Sequence, residues 1–457
     1  MNKRMLMFLI FSFLLNGKLF AQDSQYWNIQ YGTRSTLLGG AVIGSVTDLS
    51  ATYYNPGAVA LFDDPKFILS AQVYELQTIT VEDGVGLGED LVYSTIIPSP
   101  SFFAFNIKFD FLGDARLAFS ILTRQKMNFE FQTRLIDSLD IIESSPGKEN
   151  FAGGVSLQRE FNETWVGLTY STKLNEMVGF GLTWYSAYRS QTSSNETIIQ
   201  VLPSEGDIAS YTDIRNYRYN NLRSLLKFGM GMNLRPLTLG VTVTTPSINI
   251  GGSGSVGTHF FLNGIDTDGD STNNNEFDSN FQDEIDSEYK SSWAVGIGGG
   301  YKIGKFKFHV SAEWYDALEK FFVLDTEPFV SQGSGETLTN DLIHELKSVT
   351  NYGFGIDFFS SESLIISGSF VTDFSARIPG TESNLTVSTW NIYHLSGGTT
   401  FRLGNSEFTV GLEYAFGSRE IDQQIDITNP GNDENADIVK QSEVTIRRIK
   451  LLVGFEL

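Results

Sequence analysis

Side chains able to do chemistry are few and scattered along this chain. The four histidines, His259, His309, His344 and His394, fall on different segments, none in a helical metal motif and none beside a serine in a nucleophile elbow. Cysteine is absent, which removes thiol nucleophiles, thiolate metal sites and disulfides together. The densest group is the run Gly251 to Asp286, where Asp266, Asp268, Asp270, Glu276, Asp278, Asp283, Glu284 and Asp286 occur with no Lys or Arg. Alternate carboxylates at Asp266, Asp268 and Asp270, with Glu276 beyond them, resemble the start of a loop that converges on calcium. Ser271 stands where such a loop requires glycine, and Phe277 holds its twelfth position. A solvated acidic surface loop is the simpler reading, and divalent ions bridging the loop to lipopolysaccharide are a third. Acids and serines without a recognisable motif do not make a catalytic site, so no enzyme is expected.

The elements that carry these residues read as strands. From Lys305 to Tyr315, Phe306, Phe308, Val310, Ala312 and Trp314 share one face while Lys305, Lys307, His309, Ser311 and Glu313 share the other. That period of two recurs along the chain and predicts fourteen strands, near 66–79, 99–109, 115–131, 155–173, 177–200, 216–234, 237–250, 287–303, 305–319, 345–359, 363–377, 388–403, 405–420 and 441–457. Tight connections such as Arg235-Pro236, Gly304 and Gly404-Asn405 alternate with long polar ones. An even number of amphipathic strands with this turn asymmetry predicts an all-β, 14-stranded antiparallel transmembrane barrel, chain ends and tight turns on the periplasmic side. A soluble β-sandwich or propeller alternates in the same way, but the face opposite its buried one is seldom so rich in Gly and Ser over strands this long.

Lys3 and Arg4 precede an apolar run from Met5 to Leu15, so residues 1–22 read as a signal peptide. Eleven residues are too few to span a bilayer as a helix, and no later segment offers the uninterrupted apolar run of about 18 residues that a membrane helix needs. Cleavage removes Lys3, Arg4 and Lys18 and takes the formal charge from −22 to −25, which argues against nucleic acid as a partner.

Residues 23–65 fit neither pattern. Gly39, Gly40, Ala41, Gly44 and Ser45 form a small-residue, weakly helical stretch, Asn55-Pro56-Gly57 forces a turn, and Asp63-Asp64-Pro65 ends the segment ahead of the barrel at 66–457. About eight strands already fill their own interior, so fourteen leave a bore that this segment can plug. Inward Gly179, Gly181, Gly229, Gly231, Gly296 and Gly298 then make room for it. The run Gly39 to Phe67, with Asp48, Ser50-Ala51, Asn55-Pro56 and Phe62-Asp63-Asp64-Pro65, resembles the amino-terminal hatch of the FadL/TodX family of outer-membrane transporters for long-chain fatty acids and other apolar molecules.

That resemblance implies a passive route: capture by extracellular loops, a lumen pocket, movement of the hatch, and lateral exit at a kinked third strand, here Arg116 to Phe131. It assigns hatch and gating roles to Asn55, Pro56, Gly57, Asp48 and Ser50; Gly57 replaces the family's usual alanine, and Gly57→Ala is expected to slow uptake. Leu122 and Tyr185 are the candidate ligand contacts, on faces read as inward. Outer-membrane lipid, lipopolysaccharide and the barrel assembly machinery are the implied partners; the terminal strand ends in Leu457 where an aromatic is usual. No cofactor is required beyond the calcium considered for residues 251–286. A general porin and an adhesion or structural barrel with working acidic loops are the rival readings.

Overall fold

The computed structural model describes residues 24–62, 67–82, 90–107, 113–139, 148–202, 208–265, 274–378, 390–404, 406–422 and 441–457. Fourteen strands form the wall. They are β1 Phe67–Val81, β2 Leu91–Ile107, β3 Arg116–Leu139, β4 Glu149–Asn175, β5 Val178–Leu202, β6 Ala209–Leu234 and β7 Leu237–Thr244. The second half is β8 Ala294–Ile303, β9 Phe306–Tyr315, β10 Val349–Phe359, β11 Leu364–Asp373, β12 Ile392–Leu403, β13 Ser406–Asp422 and β14 Gln441–Glu456. Each pairs antiparallel with its neighbours, and β14 returns to β1 from Ile68↔Glu456 to Val81↔Val444, so the sheet closes. Closure leaves no open edge in the wall, the condition for a sheet in lipid.

Side-chain exposure runs opposite to that of a soluble protein. On β9, Phe306, Phe308, Val310 and Trp314 face outward and are exposed, while His309, Ser311 and Glu313 are buried inside. A continuous apolar exterior around a polar interior is stable against lipid and not against water, which removes the sandwich alternative. On β4 the outward residues change from Val166, Leu168 and Tyr170 to Asn162, Glu160 and Gln158, marking where the apolar band ends. At about 3.3 Å per residue the 27 residues of β4 run roughly 90 Å, far beyond a ~25 Å apolar band, so β3 to β6 continue as a sheet standing outside it.

That external sheet departs from expectation. The strand expected at 237–250 ends at Thr244, and a separate strand, Ile248–Ile265, pairs with the upper half of β6 from Ser224 to Ser210. It turns back as Asn274–Asp286, so much of the expected loop 251–286 is a hairpin. The upper half of β6 presents backbone groups that need partners, and a Gly- and Asn-rich strand supplies them while burying only a few apolar side chains such as Val256 and Leu262. A second hairpin, Leu318–Leu324 with Leu342–Leu346, folds onto this sheet through Phe321, Val323, Leu324 and Leu342 against Tyr219, Val256 and Tyr289.

Residues 24–62 fill the bore, and Thr47 alone among them is exposed. They contain two single-turn helices, α1 Arg34–Leu37 and α2 Ala51–Tyr54, and a 3-10 helix at Pro56–Ala60. Such short turns do not hold themselves together. Contact with the wall does it. Leu38, Val42, Leu49, Tyr53, Tyr54 and Val59 share one apolar cluster with Phe102, Leu122, Trp165, Tyr185 and Leu225 of the strands.

Candidate functional site

The plug meets the wall along a seam of backbone. Asn55 caps the 3-10 helix by accepting from Gly57 N at 3.1 Å, with Pro56 fixing the first turn. Its Nδ2 donates to Ile43 O at 2.8 Å within the plug and to Met230 O at 3.0 Å on β6. A Cβ on Gly57 would stand 2.5 Å from Gly229 O and 2.7 Å from Gly179 O, and one on Gly181 would strike Pro56. Gly57 is therefore a point of close approach between plug and wall. Asp48 ties the next turn, accepting from Ser50 N at 2.9 Å, from Ser50 Oγ and from Ser35 Oγ at 3.0 Å.

Among the described residues, the wall parts between β2 and β3. β3 pairs with β4 along its whole length, but with β2 only from Ile107↔Leu117 to Phe102↔Leu122. Beyond Leu122 the two strands part, while β2 stays paired with β1 up to Leu91. Residues 25–31 of the plug fill this opening from inside. Tyr31 Oη donates to Thr123 O at 2.9 Å, Gln125 Nε2 to Gln25 O at 3.1 Å and Arg124 Nη1 to Tyr26 O at 2.8 Å. One backbone carbonyl of β3 and two of its side chains thus bond to the plug where β2 has left. Arg124 is the extra residue of a bulge against β4, so both it and Gln125 point inward and are buried.

The same segment reaches the far wall. Asp373 Oδ1 accepts from Tyr26 N and Trp27 N, both at 2.9 Å, Lys450 Nζ donates to Asn28 O at 2.8 Å, and Trp27 Nε1 donates to Glu313 at 3.0 Å. Residues 25–31 form a strap across the bore from β3 to β9, β11 and β14. Beside it lies an open cavity of about 70 Å³, lined also by Leu318 and Leu346 of the second hairpin. Its walls join Tyr53, Trp165, Tyr289 and Tyr315 to Arg124, Arg223, Lys227 and Lys290, with Glu163 and Glu313 as the carboxylates. A cavity that sets aromatic rings beside charged groups suits an amphiphile.

No family model matches the sequence, and no curated protein matches it. Solved structures do match. A Pseudomonas aeruginosa FadL homologue superimposes with a TM-score of 0.58 at 12% identity, covering 94% of this chain and 99% of that one. The Pseudomonas putida toluene transporter TodX gives 0.56 at 13%, again over 94% and 99%. The fold is that of FadL and TodX. The Ralstonia pickettii toluene transporter TbuX has it as well, with 0.52 at 10% over 93% and 98%. At such identity the likeness is one of architecture, and function within the FadL/TodX fold is argued from the site itself.

Within this FadL/TodX fold the residues singled out from sequence fall into three places. Asn55, Pro56, Gly57, Asp48 and Ser50 all lie in the buried seam of the plug. Leu122 and Tyr185 do point inward, but they pack under the plug: Tyr185 Oη donates to Thr52 O at 2.8 Å, and Leu122 sits at the last β2–β3 pair. Asp266, Asp268 and Asp270 lie outside the described residues, and Glu276 is a strand residue opposite Leu262. Among the described residues no group of three potential metal ligands converges.

One constellation was invisible in sequence. Ser45 Oγ lies 2.6 Å from His309 Nδ1, and His309 Nε2 lies 3.1 Å from Asp357. These are the residue types of a hydrolase relay, and Ser45 N and Val46 N both donate to Val42 O at 2.8 Å, so neither of these two amides is aimed at an oxyanion. Arg34 also reaches Asp357 at 3.5 Å. The group fastens the plug to β9 and β10.

Proposed function

We propose that this chain is a passive outer-membrane channel for hydrophobic molecules such as long-chain fatty acids or aromatic hydrocarbons. The observation that carries this reading is the parting of β2 and β3 beyond Phe102 and Leu122, stopped from inside by residues 25–31. A water-soluble cargo has no use for a side door into lipid. An apolar one gains free energy at each step from loops to cavity to bilayer, so no energy source is needed. The FadL/TodX fold and the neighbours described as a FadL homologue and toluene transporters support the same cargo class. On this reading the barrel assembly machinery inserts the chain, and its long external sheet faces lipopolysaccharide.

The porin alternative conflicts with a bore occupied by a buried plug. An adhesion barrel has no need of an aromatic cavity. Vesicles carrying the mature protein are expected to take up hexadecanoate or toluene faster than empty vesicles, and to exclude a small sugar. Sugar entry alone would establish a porin, and entry of none an adhesion or structural barrel.

A further inference from the structure

Arg124 belongs to two sites at once. Its Nη1 holds Tyr26 O, and through it the strap in the β2–β3 opening; its guanidinium also lines the cavity, 5.6 Å from the ring centre of Trp165 and 5.9 Å from that of Tyr53. Alternation from Leu122 already points Arg124 inward, and the bulge sets Gln125 inward beside it, where the ladder resumes opposite Glu163. Four cations, Arg124, Arg223, Lys227 and Lys290, face the cavity against two carboxylates, Glu163 and Glu313. The excess is positive in a protein of net charge −22. Arg223 is 1% exposed, spends Nη2 on Glu163 at 2.5 Å, and leaves Nε and Nη1 without a partner. Such buried donors await an anion.

We infer that Arg124 couples the cavity to the side opening: the acid group of an anionic amphiphile draws Arg124 away from Tyr26 O, and the strap then leaves β3. This rests on the transport reading above and adds its trigger. A carboxylate outcompetes a neutral carbonyl for a guanidinium, because charge-assisted hydrogen bonds are roughly twice as strong as neutral ones. Arg223 and Lys227 hold the acid group from the other side. The strap stays anchored at Asp373 and Lys450, so it swings off β3 without leaving the bore. A neutral molecule of the same shape makes no claim on Arg124 and passes only when the strap opens unaided.

The chain has no native cysteine, so Ile29→Cys gives a clean reporter; Ile29 is buried beside Lys126, Met127 and Asn128 of β3. Thiol labelling is measured with hexadecanoate and with hexadecanol, alongside vesicle uptake of both and of toluene. Hexadecanoate is expected to speed labelling about tenfold over hexadecanol, the equivalent of one charge-assisted hydrogen bond. Arg124→Gln should label fast without ligand and respond equally to both probes, and Arg124→Lys should keep a weaker acid preference. Should Arg124→Gln fail to fold, the wild type and Arg124→Lys decide alone. Equal labelling with acid and alcohol in the wild type, with uptake intact, overturns the coupling and leaves the channel standing. Failure of all three probes to enter overturns the channel itself, and the coupling with it.

Discussion

The side-chain amide of Asn55 bridges plug and wall, binding Ile43 O and, at 3.0 Å, the carbonyl of Met230 on β6. Nothing else in the turn does both. Asn55→Ala removes these bonds and the cap on Gly57 N, and each buried group left unpaired costs about 1–3 kcal/mol. The barrel itself loses no ladder bond. Faster hydrogen exchange across residues 24–62 with unchanged heat stability of the barrel is the expected result; unchanged exchange would show the bridge to be dispensable.

Gly57→Ala tests the seam in the opposite sense from the sequence-based expectation. The added methyl meets Gly229 O and Gly179 O inside contact distance, so the plug must back away from β5 and β6. Slower uptake would follow if Gly57 supplied mobility. Close approach predicts faster, less selective entry, seen as leakage of a small sugar that the wild type excludes. Gly181→Ala, which collides with Pro56, should do the same.

Acid should loosen the second hairpin. His344 is fully buried between Tyr289 and Phe321, and burial pushes its imidazole down to about 3, with nearby Arg189 pushing the same way. The docked hairpin therefore refuses a proton that the undocked one accepts below about 6.5. Stability is full above that pH and is lost as pH falls toward 3. Near pH 5 the loss is about 2 kcal/mol. Proteolysis within residues 318–346 should rise between pH 7 and 5 in the wild type and much less in His344→Gln.

Much of this was legible in the sequence, and the reason is periodicity. His309 sits on the polar side of an apolar alternation, and the structure puts it inside, as that pattern requires. The plug was legible through Asn55-Pro56 and its flanking small residues. What the pattern concealed is whatever breaks it or joins distant segments. Arg124 and Gln125 face inward together because of one bulge, which no alternation marks. Strand Ile248–Ile265 buries too few apolar side chains, Val256 and Leu262 among them, to mark an alternation, so most of it read as loop. Ser45 and His309 meet across 264 residues of chain. Arg223 and Lys227 share an inward face with Gly229 and were readable as lumen cations, yet only the fold shows them opposite Arg124.

Tyr31 supplies the last prediction. Its hydroxyl donates to Thr123 O on β3, one residue past the final β2–β3 pair, while its ring packs on Tyr53 and Phe102. Tyr31→Phe keeps the packing and removes the bond, leaving one strand carbonyl at the mouth of the opening without its plug partner. A neutral hydrogen bond contributes about 1 kcal/mol, so the strap should open about fivefold more often. Uptake of toluene, which offers no acid group to Arg124, should rise by about that factor in vesicles. The heat stability of the barrel should stay as it was, since the β2–β3 ladder below Leu122 is untouched. A toluene rate equal to that of the wild type would mean that the strap is not what limits passage through the wall.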